Sequence, residues 1–232
     1  MKHLVTYEKG EPVRWLGHLD ILRTFERAIR RSGLPVAFSA GFNPRERLAF
    51  ASALPVGVTG EREMMTIELT EDLSGEEVVR LLNGCLPPGI RLHEARPVPA
   101  EGSRDLLNSF DRAEYRVLCA CPDSLSVEEV GEASRALLAR REIPIARERE
   151  GRVRQVDIRR FIHSVEPRGR EGGRMVLWME LAVSQEGAAR PGEVVEALGI
   201  PGLAARRVHR IRLTSPQDRR ADATAPAPVQ PA

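Results

Sequence analysis

Residues 14–33, RWLGHLDILRTFERAIRRSG, hold the reading on which the fold turns. Placed on a helical wheel at about 100° per residue, Ile21, Leu22, Phe25, Ala28 and Ile29 share one face. Arg23, Arg27 and Arg30 fall opposite, with Arg31 at the margin. The spacing predicts an amphipathic helix from about Gly17 to Ser32 whose apolar face covers a sheet. Gly33, with Pro35 beyond it, ends the helix. At its start Gly17 is the N-cap. Asp20, at the third helical position, can accept from the cap N–H and complement the dipole.

Working outward, KHLVTYE (2–8) reads as a strand before this helix. PVAFS and RLAFASAL read as extended segments after it, separated by the loop AGFNPRE. MMTIELT is a strand, SGEEVVRLLNGCL a helix capped by Ser74, and IRLHEARPV a closing strand. After residues 99–111, PAEGSRDLLNSFD, the same order returns. EYRVLCACP leads to a helix with Ser126 as cap and Glu129 at the capping-box position. IPIARER and VRQVDIRRFIHSVEP are extended at least in part. RMVLWMELAVS, RPGEVVEALG and RRVHRIRLTS follow as strand, helix and strand. Two β-α-β-β-α-β runs predict an α+β protein of two tandem ferredoxin-like domains with antiparallel sheets. The domains span 1–98 and 112–214, with a connector at 99–111. Residues 215–232, rich in Pro and Ala, are expected to be a disordered tail.

The 232 residues are 42% hydrophobic and 29% charged, an ordinary globular balance. A net charge of +2 means that any nucleic-acid signal must come from clustering of charge. Cys85, Cys119 and Cys121 make no zinc spacing and lack the C-x3-C-x2-C cluster motif of radical S-adenosylmethionine (SAM) enzymes. Cys119 and Cys121, in the apolar run YRVLCAC, read as small buried hydrophobes. No metal and no cofactor is expected. The N-terminus has no apolar signal core, and no segment reaches membrane-spanning length, so a cytoplasmic protein is expected.

Chemistry concentrates in the first half. Capping accounts for Asp20 but not for His18, which projects on the apolar side of the first turn. It reads either as part of a helix start or as a general acid/base or ligand-contacting donor. In the loop Ser39-Ala40-Gly41-Phe42-Asn43-Pro44-Arg45-Glu46-Arg47, Gly41 and Asn43-Pro44 are turn residues. Phe42 must either plug into the core, the commoner fate, or stay available for stacking. Arg14, Arg23, Arg27, Arg30, Arg31, Arg45 and Arg47 stand against Asp20, Glu26 and Glu46. A solvated helix face is the plain reading of such charge. The local basic excess beside an aromatic and an amide also suits RNA.

The runs YEKGEPVRWLGHLD, RAIRRSGLPVAFSAGFNP and LPVGVTGERE resemble the radical-SAM-associated bacterial domain of unknown function. That domain is found alone or fused to the C-terminus of a B12-binding-like radical SAM protein. His18, Asp20, Ser39, Gly41, Phe42, Asn43, Pro44 and Glu63 match its pattern. Gly17 stands where the pattern usually has serine, and Arg45 where it often has histidine. The resemblance implies association with a radical SAM enzyme encoded nearby and supplies no reaction. The expectation is an accessory protein that binds RNA (tRNA or rRNA), a radical SAM enzyme, or both. The alternatives are a metal-independent endoribonuclease with His18 as general base, and a protein-interaction adaptor.

Overall fold

A computed structural model describes residues 1–99, 102–149, 151–184 and 186–224. Its first half runs β1 (Lys2–Lys9), α1 (His18–Ser32), β2 (Leu48–Phe50), β3 (Val58–Glu68), α2 (Gly75–Asn83) and β4 (Ile90–Val98). After α3 (Ser103–Asn108) come β5 (Arg112–Ala120), α4 (Val127–Ala139), β6 (Pro144–Arg149) and β7 (Arg152–Asp157). β8 (Ile162–Glu171), β9 (Arg174–Ala182), α5 (Pro191–Ala197), β10 (Ala204–Thr214) and α6 (Pro216–Thr224) complete the order. The protein is α+β, with a mixed sheet.

The local signals in the sequence fall where they were expected. Gly17 N–H donates to Asp20 Oδ2 at 3.2 Å, and Gly33 closes α1 with φ 69°. Ser74 and Ser126 each cap a helix in reciprocal pairing with Glu77 and Glu129. Phe25 and Ile29 of α1 pack with Val78 and Leu82 of α2 on Val5, Tyr7, Met65 and Ile67 of the sheet. In the second half Val130, Leu137 and Val194 cover Val117, Cys119, Leu177 and Met179. Burial pushes the Cys119 thiol up to about 12, which fits a packing role.

The global arrangement departs from two separate antiparallel sheets. One long sheet runs β4-β1-β3-β10-β5-β9-β8, with β2 attached beside β3. All pairings in it are antiparallel except β3 with β10. The cause lies in β2, which has only three residues and pairs with β3 at residues 65–67. The start of β3 would be an open edge, and residues 208–212 of β10 fill it in parallel with residues 58–62.

Where β3 changes partner, Glu63 meets Arg210 across the junction. Both side chains are 1% exposed, and Arg210 Nε donates to Glu63 Oε1 at 2.7 Å. Gly60 leaves room for this carboxylate, since a Cβ there would stand 2.4 Å from Glu63 Oε1. Burial and then the Glu63 charge hold the neighbouring Tyr7 phenol well above its usual range. Buried Lys9 ties the chain before α1 to the chain before β3. Its ammonium donates to the carbonyls of Arg14 (2.9 Å), Leu16 (2.8 Å) and Pro55 (3.4 Å).

Three further segments differ from expectation. The connector contains α3, because Leu107 and Phe110 find a core to enter and pack with Leu4 of β1. The second half carries an extra hairpin, β6–β7, which forms its own two-stranded sheet before a 3-10 turn at Arg159–Phe161 leads into β8. The segment from Ser215 is helical through Thr224 as α6. Ser215 caps it against Asp218, and Arg219 grips Asp111 at 2.6 and 3.0 Å. Residues 225–232 of the expected tail lie outside the described residues. Among the described residues no helix is long and apolar enough to cross a membrane.

Candidate functional site

The change of partner along β3 separates β2 from the ends of β5 and β9, and a cleft of about 1020 Å³ lies there. The first half contributes His18, Leu22 and residues 48–53. The other wall is built from residues 107–108, 110–112 and 182–184 together with His163. Two hollows adjoin the cleft. One, of about 470 Å³, shares Leu22, Leu48 and Ala49 and extends to Ser39, Arg45 and Arg47. The other, of about 490 Å³, shares Ser52, Ala53 and residues 182–184 and extends to Glu193 and Arg210. Together they form one groove across the junction of the halves.

α1 presents its i, i+4 row His18, Leu22 and Glu26 to this groove. The His18 ring stands edge-on to Phe50 at 5.2 Å and 84°. Phe50 in turn packs against Tyr7 and Phe25, so the core orients His18 from behind. Among the described residues neither ring nitrogen of His18 has a protein hydrogen bond, so both are available to a ligand.

His163, which the sequence reading did not single out, faces His18's cleft from the second half. It is the extra residue of a β-bulge: Ile162 pairs with Leu181 and Ser164 with Glu180, leaving His163 unpaired between them. Bulges re-aim side chains in this way beside ligand sites. Desolvation in the cleft, and then the neighbouring Arg112 guanidinium, hold its pKa below the usual imidazole value. Around it, Arg112 bonds Glu180 at 3.0 Å and Arg219 bonds Asp111.

The arginines anticipated as one basic surface divide into two groups. Arg30 donates to Glu46 Oε1 at 2.9 Å, and Arg47 to Glu68 Oε1 at 2.9 Å. Arg31 is held by the Cys85 carbonyl, and Arg23 lies 3.7 Å from Asp20. These four are occupied within the protein. The guanidinium groups of Arg27 and Arg45 have no partner among the described residues. Arg45 lines the groove, whereas Arg27 faces solvent on the outer flank of α1.

The loop at 39–45 is pinched by Ser39: its Oγ accepts from Arg45 N–H at 3.0 Å, and its N–H donates to Arg45 O at 2.8 Å. Gly41, with φ 120°, turns the chain inside that clamp, and Asn43 and Pro44 stay exposed. Phe42 is fully exposed, so the reading in which it plugs into the core is overturned. The clamp throws residues 40–44 outward, and all five are exposed. Glu63, anticipated as a motif residue, is the buried partner of Arg210.

A family model described as "Uncharacterized protein conserved in bacteria (DUF2344)" matches residues 2–191. The chain belongs to that family. A search of the curated proteins finds no match. Among solved structures, the chain is similar to one in a Cbf5-Nop10-Gar1 complex, with a TM-score of 0.52 at 10% identity. That likeness covers 91% of this chain and 48% of the other. A chain of the archaeal box H/ACA sRNP Nop10-Cbf5 complex matches with a TM-score of 0.47 and 12% identity, covering 91% and 47%. A chain of an H/ACA RNP bound to a substrate RNA containing 2'-deoxyuridine matches with a TM-score of 0.49 and 12% identity over the same shares. The chain thus spans about half the length of these structures, and at such identity the first of them speaks to the fold alone.

Proposed function

We propose that the groove between the two halves binds a single-stranded stretch of RNA, and that the protein serves as an accessory factor to a cytoplasmic radical SAM enzyme. Each half reads as a ferredoxin-like β-α-β-β-α-β module, fused to the other through β3 and β10. The observation that carries the RNA reading is the fully exposed Phe42 in a loop beside Arg45, whose guanidinium has no partner among the described residues, at one end of the groove. Single-stranded nucleic acid is held by this combination, with bases stacked on an aromatic ring and phosphates paired to arginine. His18 and His163 stand in the middle, where ring N–H groups can donate to bases or phosphates. Beside the start of α1, Trp15, Leu19 and Val56 are 66%, 62% and 59% exposed, and this apolar surface suits a protein partner.

The presence of two imidazoles in one cleft favours endoribonuclease activity as a second reading. In it the ribose 2'-oxygen attacks phosphorus while His18 takes its proton. His163, whose lowered pKa means it carries the needed proton only on the acid side of the usual imidazole range, gives a proton to the departing 5'-oxygen, leaving a cyclic 2',3'-phosphate and a 5'-hydroxyl.

Both readings are tested by measuring affinity for a labelled homouridine oligoribonucleotide, followed by a denaturing gel. Phe42→Ala should weaken binding by about 1–3 kcal/mol, the worth of one stacked base. His18→Gln should weaken it too, with the thermal midpoint nearly unchanged. RNA that is bound and recovered intact keeps the accessory reading. Cleavage lost in both His18→Gln and His163→Gln replaces it with the nuclease. Equal affinity in wild type and Phe42→Ala removes the loop from the site.

A further inference from the structure

The β6–β7 hairpin is an insertion between α4 and β8 that contributes only its root to the core. Ile145 and Val156, directly opposite each other, pack on the second half. Asp157 Oδ1 fixes the base by accepting from Ile143 N–H at 2.8 Å. Beyond the root, Arg152, Val153 and Arg154 are exposed, and Gly151 turns the tip with φ 73°.

The register places Arg147 opposite Arg154, and Arg152 lies two positions before Arg154 on the same strand. Like charges facing each other across a strand pair are destabilising. One member is neutralised: Arg147 makes a forked contact with Glu193, at 2.7 and 2.6 Å. Arg152 and Arg154 have no partner among the described residues. Other arginines nearby are occupied. Arg159 donates to the carbonyls of Leu138, Arg140 and Ile162, and Arg160 pairs with Glu186 at 3.3 Å. Arg152 and Arg154 thus leave a row of exposed positive charge, two positions apart, that nothing among the described residues compensates.

We infer that this hairpin is an arm that grips the phosphate backbone of RNA as it leaves the groove. The inference rests on the RNA reading of the groove and extends it to the opposite end from Phe42. Placement supports it, since Arg147 anchors the arm to Glu193, which lines the hollow at that end. Spacing supports it as well. Alternate strand positions repeat every ~6.8 Å, similar to successive phosphates along an extended single strand. A flexible row of phosphates can follow such a ladder, and guanidinium groups bind phosphate through paired donors.

The test is a salt titration of homouridine oligoribonucleotide binding to the full chain, as wild type and as Arg152→Ala/Arg154→Ala. Each phosphate neutralised on a single strand contributes about 0.7 to the slope of log affinity against log salt. The double variant should therefore lose about 1.4 from that slope, with a melting temperature equal to the wild type's or higher. An unchanged slope in a variant of an RNA-binding wild type overturns the arm and leaves the groove standing. A slope that falls only together with the melting temperature also overturns it, because the arginines would then be structural. A wild type that does not bind this RNA removes the groove reading and the arm with it.

Discussion

Glu63→Leu should lower the unfolding free energy by about 3–5 kcal/mol, because it leaves a buried guanidinium without its counter-charge. Burial alone would disfavour charge on Arg210. The Glu63 carboxylate outweighs that effect and, with Tyr115, holds the guanidinium charged far above its usual range. Arg210 also donates to Ser52 Oγ at 3.2 Å, but a neutral hydroxyl cannot replace the carboxylate. The double variant Glu63→Leu/Arg210→Met should recover most of the loss, since an apolar pair of similar size removes both desolvation costs. Urea unfolding of the two variants separates the effects. A single variant within about 1 kcal/mol of wild type would mean that the ion pair contributes little to joining the halves. The pair also adjoins the groove, because Arg210 lines the hollow at its second end. The double variant is therefore expected to weaken RNA binding less than the single.

Gly75→Ala should destabilise by about 3 kcal/mol, near the upper end for forcing one extra carbon into a packed contact. The added Cβ would stand 1.7 Å from the backbone oxygen of Ala95, and a backbone atom of a paired strand cannot step aside. Nor can α2 tilt freely. At its other end Asn83 brackets Leu92 of β4, accepting from its N–H at 2.8 Å and donating to its carbonyl at 3.0 Å. The control is Gly131→Ala in α4, where no heavy atom lies nearer than 3.5 Å to the new carbon. There the helix preference for alanine should stabilise by up to about 1 kcal/mol. Thermal melts of both variants make the comparison. Equal midpoints would contradict the close approach of α2 to β4.

Features set by neighbours in the chain were legible in the sequence. The caps at Gly17, Ser74 and Ser126 depend on residues three positions away, and the apolar face of α1 depends on its own period. The fusion of the halves was not legible. Glu63 and Arg210 are 147 positions apart, and a parallel pairing between two halves leaves no local mark. The same limit explains the arginines. Arg30 and Arg31 look free on a wheel because Glu46 and the Cys85 carbonyl come from other segments. His163 was hidden because its placement in the cleft comes from a bulge, which depends on the register of β9. α6 is a different case. Ser215-Pro216-Gln217-Asp218 carries a readable cap with proline at the first helical position, and overall tail composition masked it.

The most direct measurement of the central claim is photo-crosslinking of a thiouridine-substituted oligoribonucleotide to the full chain, with the attached peptides identified by mass spectrometry. The account predicts attachment at Phe42, at Phe50 or His18 in the cleft, at His163, and at the tip of the β6–β7 hairpin. His18, Phe50 and His163 line the cleft, Arg45 of the Phe42 loop lines one adjoining hollow, and Glu193, which holds Arg147 of the hairpin, lines the other. Attachment confined to the outer surfaces of α2 and α4, with none in that path, would contradict it.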